Sequence, residues 1–189
     1  PLCLVGSEMC IRDSPKNSNH LVIGVTGHLY SKNENRGVYV TKDGGKNWNK
    51  TLYINDVSGI IDMSETPGDF NIMYATSWEK DRKAWNFDED GHSSGIYKSI
   101  DGGANWSLIS NDESGFPTGA GVGRIGIAVF DKDIVYAVVD NQNFRETNEK
   151  KLDQGLTKES FIGMSLENFN KLSVSDLKAF LRSLSLIHI

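Results

Sequence analysis

Arg36-Gly37-Val38-Tyr39-Val40-Thr41-Lys42-Asp43-Gly44-Gly45-Lys46-Asn47-Trp48 recurs as Ser94-Gly95-Ile96-Tyr97-Lys98-Ser99-Ile100-Asp101-Gly102-Gly103-Ala104-Asn105-Trp106, so that Trp106 follows Trp48 by 58 residues. Self-similarity over such a distance is the mark of a repeat architecture. Two further elements repeat around it. One is His20–Thr26, Asn71–Thr76 and Asp133–Val138; the other is Ile60–Met63 and Ile125–Val129. All are rich in Val, Ile and Tyr and bounded by Asp, Asn and Gly, which is how strands read. The Asp-Gly-Gly element falls between two of these strands, where a tight turn needs positive φ. Gly44 or Gly45 supplies it without steric cost. The short Asp43 carboxylate can accept backbone N–H groups of its own turn and lie near the Thr41 hydroxyl. Trp48 opens the returning strand and can lay its ring over the hairpin. Asp43 and Asp101 are therefore structural residues and not catalytic candidates.

Thr41-x-Asp43-x-Gly45-x-x-Trp48 and Ser99-x-Asp101-x-Gly103-x-x-Trp106 resemble Asp boxes, the bacterial neuraminidase repeat found in sialidases, xyloglucanases and sortilin-type propellers. The stretch 15–141 as a whole resembles sortilin-type β-propellers, many of them described only as "glycosyl hydrolase". The resemblance implies an all-β partial β-propeller of about two four-stranded blades. One full blade is assigned to 60–63, 72–76, 95–99 and 106–109. Three strands of another (21–26, 37–41, 48–53) precede it, and two of a third (125–130, 134–139) follow. A propeller closes with roughly 4–8 blades, so the remaining blades of the same chain are expected partners. The resemblance also implies a secreted, periplasmic or cell-surface location.

Composition fits a folded domain. Of 189 residues, 38% are hydrophobic and 24% charged, with 19 Gly and only 4 Pro. The formal net charge of −5 argues against a nucleic-acid partner, and no apolar run reaches the length of a membrane span. Two cysteines, Cys3 and Cys10, exclude a disulfide scaffold or a many-thiolate zinc site. No cofactor or metal is expected, since His20, His28, His92 and His188 show no mutual ligand spacing. Residues 1–14 share no pattern with the rest and resemble translated sequencing-adapter strings, as does the final SLSLIHI. Segments 1–14 and 184–189 are expected to be foreign tails, the alternative being an edge strand and an apolar tail, and they are set aside here.

Antiparallel neighbours reverse direction, so the connections of a sheet alternate between its two ends. The Asp-box turns mark one end. Segments 53–59, 77–94 and 110–124, and everything after 140, are expected at the other. Segment 77–94, SWEKDRKAWNFDEDGHSS, reads as a loop of 18 residues, and loops that long are usually functional or disordered. Its Trp78, Trp85 and Phe87 lie among Glu79, Asp81, Arg82, Asp88, Glu89, Asp90 and His92. Flat rings beside charged groups suit a sugar or peptide ligand; alternatively the tryptophans only pin the loop. Asp56, at a blade junction, reads as a turn residue or a catalytic carboxylate. Arg124, just before a strand, reads as a carboxylate binder or a partner for a neighbouring blade. Gly121–Gly126 matches GxGxxG but precedes a strand, which excludes a dinucleotide fingerprint. Asp88, Glu89, Asp90 and His92 lack the spacing of a calcium loop and read as a solvated acidic turn.

After Val139 the pattern changes to Leu156-Thr157, Met164-Ser165 and Leu172-Ser173, an eight-residue recurrence with Phe161, Phe169 and Leu177 at matching offsets. Hydroxyl caps and early acids predict three short helices near 157–163, 165–171 and 174–183. They form a C-terminal α-helical insertion over 142–183, with a small apolar cluster against the blade.

Two functions compete. A binding propeller would take a glycan or peptide at the long-loop end through Trp78, Arg82, Trp85 and Arg124, with no catalytic group. A glycoside hydrolase would need two carboxylates about 5–5.5 Å apart for retention or 6.5–9.5 Å for inversion, for which Asp56 and Asp88 are the candidates. A sialidase would need an arginine cluster and an activated Tyr, and only Arg82 and Arg124 are placed for the first. A third reading is a purely architectural repeat within a larger enzyme, and binding or such a scaffold role ranks above hydrolysis.

Overall fold

The computed structural model of the chain describes residues 8–143, 155–156 and 158–185. Four antiparallel strands in chain order make the first sheet: β1 (Glu8–Ser14), β2 (Asn17–Val25), β3 (Gly37–Thr41) and β4 (Asn49–Leu52). Then come β5 (Ser58–Thr66) and β6 (Asp69–Glu79), a small hairpin of β7 (Asp81–Arg82) and β8 (Phe87–Asp88), and β9 (Gly95–Ser99) and β10 (Ser107–Leu108). The second sheet has the order β5-β6-β9-β10. A final antiparallel pair is β11 (Val122–Val129) with β12 (Val135–Asn141). The described residues are thus mostly β, in several antiparallel sheets, none of which closes on itself among them.

Period-2 alternation decides which residues meet. Val22 pairs with Val40 and Gly24 with Val38 across β2 and β3, so these side chains share one face, while Ile23 and Tyr39 share the other. The first face packs on Ile60, Met63, Met73 and Ala75 of the second sheet to form the main buried cluster. Burying side chains of this size contributes roughly 1.5–3 kcal/mol each. The second sheet's opposite face carries Ile96, which packs with Val122 and Ile125 of β11. Thr76 Oγ1 donates to the Ile125 carbonyl at 2.8 Å, and Asp62 accepts from the Ile127 N–H at 3.0 Å. The sheets therefore stack in chain order. Gly59 marks how close they come: a Cβ there would lie 2.3 Å from the Thr26 carbonyl oxygen.

Three expectations change. Residues 8–14, set aside as part of a foreign tail, form β1, with Arg12 bonded to the Met63 carbonyl and paired with Glu65 at 3.0 Å. The strands β5 and β6 run longer than 60–63 and 72–76, because their ends pair through Ser58↔Glu79 and Thr66↔Asp69. Segment 77–94 is not one open loop. Its first residues extend β6, and its centre folds back as β7–β8, closed by the Lys83 N–H on the Asn86 carbonyl at 2.7 Å.

Residues 145–189 separate as a second unit, described by itself. It holds a 3-10 turn at Lys158–Phe161, α1 (Leu166–Asn170) and α2 (Val174–Ser185). Ser165 Oγ accepts the Asn168 N–H and Ser173 Oγ the Asp176 N–H, the hydroxyl caps expected from the sequence. The third expected cap, Thr157, and the tail after 185 lie outside the described residues. The ring of Phe161 contacts Phe169 and Phe180, with centroids 6.3 and 4.9 Å away. Among the described residues no helix is long and apolar enough to cross a membrane.

Candidate functional site

The two repeated turns fold alike. Thr41 Oγ1 donates to Asp43 at 2.7 Å and accepts from the Gly45 N–H, while Asp43 accepts the Asn47 backbone N–H at 3.0 Å and its side-chain amide at 2.7 Å. In the second copy Ser99 donates to Asp101 at 2.8 Å and accepts from the Gly103 N–H. Asp101 then takes the Asn105 backbone and side-chain N–H at 2.9 and 2.7 Å. Both glycines of each pair hold positive φ: 72° and 87° at Gly44 and Gly45, 71° and 87° at Gly102 and Gly103. The identical offset of Asn47 and Asn105 from the aspartates is visible in the sequence, but not this turn-closing role. The carboxylates are spent inside their own turns, which leaves neither free for chemistry.

These bonds favour the ionised form of Asp43. The Asn47 N–H groups, then the Thr41 hydroxyl, hold its carboxyl down to about 2. A depressed carboxylate stabilises the fold above its unfolded pKa, and that contribution is lost as pH falls towards 2. A carbon-detected NMR titration of Asp43 should therefore show a midpoint near 2, rising part of the way in Asn47→Ala, which removes the side-chain amide but keeps the backbone N–H. An ordinary midpoint in the parent chain would contradict the turn geometry.

The other end of the sheets has a different character. Strand pairing puts Ser77 opposite Gly95 and Met73 opposite Ser99, so the 80–94 segment leaves from the end away from the Asp101 turn. Trp78, at the end of β6, is half-buried, donates its indole N–H to the Glu89 carbonyl at 2.6 Å and meets Phe87 edge-to-face at 5.9 Å. Trp85, at the tip of β7–β8, is 84% exposed. Arg82 lies 5.0 Å from the Phe87 ring and 5.8 Å from that of Tyr30. The two tryptophans thus divide: Trp78 pins the segment, and Trp85 presents a free ring.

Two cations that the sequence does not single out are buried at this end. Lys80 is only 6% exposed, and its ammonium sits 4.9 Å from the centre of the Trp78 ring. Burial, followed by the charges of Arg36, Arg82 and Arg124, lowers its pKa to about 8. Arg36 is 2% exposed and gathers backbone carbonyls: Asp56 at 2.9 Å, His28 at 2.8 Å, Ser31 at 3.0 Å, and Thr26. Lys80 had no signal of its own, because it stands in the charged run Glu79–Lys83. Arg36 had one: its twin in the second repeat is Ser94.

The remaining candidates fall out as follows. Asp56 lends its backbone carbonyl to Arg36, and its carboxylate lies 3.7 Å from Lys32. The side chain that closes its turn is Asn55, which accepts the Val57 and Ser58 N–H groups at 3.0 and 2.7 Å. Asp88 accepts from Asn86 at 3.0 Å within the hairpin, and among the described residues no hydrogen bond or shared partner joins Asp88 to Asp56. Arg124 lies within β11 rather than before it, exposed and without an ion pair among the described residues. Asp90 accepts the Gly121 N–H at 2.8 Å and ties the segment to the turn before β11. Among the described residues no group of three or more His, Cys, Asp or Glu is placed to hold a metal ion. No protein-family model and no curated protein matches the chain.

Proposed function

We propose that the chain is a portion of an extracytoplasmic, sortilin-like Asp-box β-propeller that binds a glycan or peptide ligand at the end opposite its Asp-box turns. The two four-stranded sheets are successive blades on this reading, and β11–β12 is the inner half of a third. Its support is the matched hydrogen-bond network of the two turns and the stacking of the sheets in chain order. The outer edge of β12 carries no strand among the described residues, and Tyr136 and Val138 on it are 65% and 79% exposed. Such an edge is a template for pairing, which suits further blades. The extracytoplasmic placement rests on the resemblance.

The observation that carries the binding reading is the contrast between the two ends. At one end the carboxylates are consumed by their turns. At the other, Trp85 is exposed at the tip of β7–β8, and Arg82 and Lys80 lie against the rings of Phe87 and Trp78. Hydrolysis ranks lower because Asp56 and Asp88 each have separate partners and share none.

On a glycan and peptide panel, Trp85→Ala should weaken capture about tenfold, the loss expected for one stacked ring at about 1.4 kcal/mol. Asp56→Asn should leave capture unchanged, and neither protein should release a sugar product. Turnover abolished by Asp56→Asn would replace this reading with the hydrolase.

A further inference from the structure

Three cations at the loop end have no ion pair among the described residues. Lys80 is nine-tenths buried, and its ammonium has no hydrogen-bond acceptor or carboxylate among the described residues; its close neighbour is the Trp78 ring at 4.9 Å. Arg82 lies on Phe87 at 5.0 Å, and Phe87 touches Trp78 edge-to-face, so the two cations flank one aromatic pair. Arg124 arrives from β11. The backbone before it is packed on the Glu89 carbonyl, 3.1 Å from where a Cβ on Gly123 would sit, and that same carbonyl accepts the Trp78 indole N–H. Neither arginine has an ion pair among the described residues.

None of the three cations forms an ion pair with a nearby acid among the described residues. Glu79 accepts the Ser93 N–H, Asp81 pairs with Lys83, Asp88 takes the Asn86 amide and Asp90 the Gly121 N–H. An ammonium whose stem is enclosed by protein and which lacks a carboxylate partner gains more from an arriving anion than a fully solvated one. The arrangement is therefore one that an arriving anion would relieve, which is what a binding site for an oxyanion requires.

The geometry points to Lys80, Arg82 and Arg124 as the site for the oxyanion of an acidic saccharide, a sulfate ester or a uronate carboxylate, with Trp85 and Tyr30 as the rings beside the sugar. The saccharide rests on the binding function proposed above; the anion rests on the unpaired cations. Rings decide between ligand classes: Tyr30, 5.8 Å from Arg82, is 61% exposed and Trp85, at the tip of the same β7–β8 hairpin that carries Arg82, is 84% exposed, and flat exposed rings fit sugar faces. The lowered pKa of Lys80, to about 8, agrees with a cation that lacks its partner.

The test is calorimetric titration of the 189-residue chain with a sulfated tetrasaccharide, its desulfated counterpart, inorganic sulfate and an acidic peptide, repeated on Lys80→Met and Arg124→Gln. The sulfated sugar should bind at least about tenfold tighter than the neutral one, and each variant should remove most of that difference. Arg124→Gln changes an exposed side chain, so its result stands even if Lys80→Met disturbs folding. Equal binding of the sulfated and neutral sugars, lost in Trp85→Ala, would overturn the anion site and leave the glycan function intact. Binding of sulfate or peptide alone, sensitive to Lys80→Met, would overturn the saccharide assignment. No binding of any anion would overturn the site outright.

Discussion

Gly37→Ala is expected to cost roughly 3–5 kcal/mol. Gly37 opens β3 at φ 125°, a conformation L-residues avoid. A Cβ there would lie 2.0 Å from the Leu52 carbonyl oxygen and 3.1 Å from its carbon. Those are backbone atoms of the paired strand, since Val38 faces Leu52 across a register shift between Val38 and Tyr39. Relief would require β4 to part from β3. The repeat supplies its own control, because Gly95 occupies the same place in the second copy. There a Cβ would meet only side-chain atoms, Leu108 Cδ1 and Ser110 Oγ, both at 2.9 Å. Gly95→Ala should cost about 1–2 kcal/mol. Urea unfolding of the two variants side by side checks this: equal midpoints would mean that the two hairpins are not built as described.

Trp106→Ala is the second large effect, about 3–5 kcal/mol, and it should exceed that of its repeat partner Trp48→Ala. The two indoles hold equivalent positions in their hairpins but face different neighbours. Trp106 packs on the cluster shared by both sheets and donates its N–H to the Gly103 carbonyl at 2.9 Å, with Thr51 Oγ1 of β4 at 3.3 Å. Trp48 packs on Ile23, Val25 and Tyr39, all in the first sheet. Removing Trp106 therefore opens the joint between sheets, whereas removing Trp48 loosens one face of one sheet. Thermal unfolding should broaden in Trp106→Ala and stay as sharp as the parent in Trp48→Ala; the reverse order would contradict the inter-sheet role.

The difference between these twins shows what could and could not be read from the chain. Strands are local: Val22, Val38 and Val40 alternate with Ile23 and Tyr39, and the alternation gives both the strand and its two faces. Turns are local as well, since Asp43 and Asn47 close one within five residues. The contacts that define the loop end are not local. Lys80 stands among Glu79, Asp81, Arg82 and Lys83 in a run that looks solvated, and only the folding of β7–β8 over Trp78 buries it. β7 and β8 are two residues each, too short for any periodicity to register. Arg36 looks like a surface arginine until the 26–31 stretch brings its carbonyls around the guanidinium. Asp56 looked like the turn former because its neighbour Asn55, which closes the turn, has the same reach.

Position at the loop end followed from strand reversal alone, and that part of the sequence reading matches the register of β6 with β9. Composition gave no such guidance: the net charge of −5 does not show where Lys80, Arg82 and Arg124 lie. A global charge limits the partners of a whole surface, but a site is set by the few side chains that converge on it.

The chain carries four tryptophans, two in the Asp-box hairpins and two on the 77–94 segment, so the indole N–H region of a nitrogen-proton correlation spectrum reads both ends of the sheets at once. On titration with the sulfated tetrasaccharide, the Trp78 and Trp85 signals should shift while those of Trp48 and Trp106 stay in place. Movement of Trp48 and Trp106, with Trp78 and Trp85 unmoved, would put the ligand on the Asp-box side and refute the account.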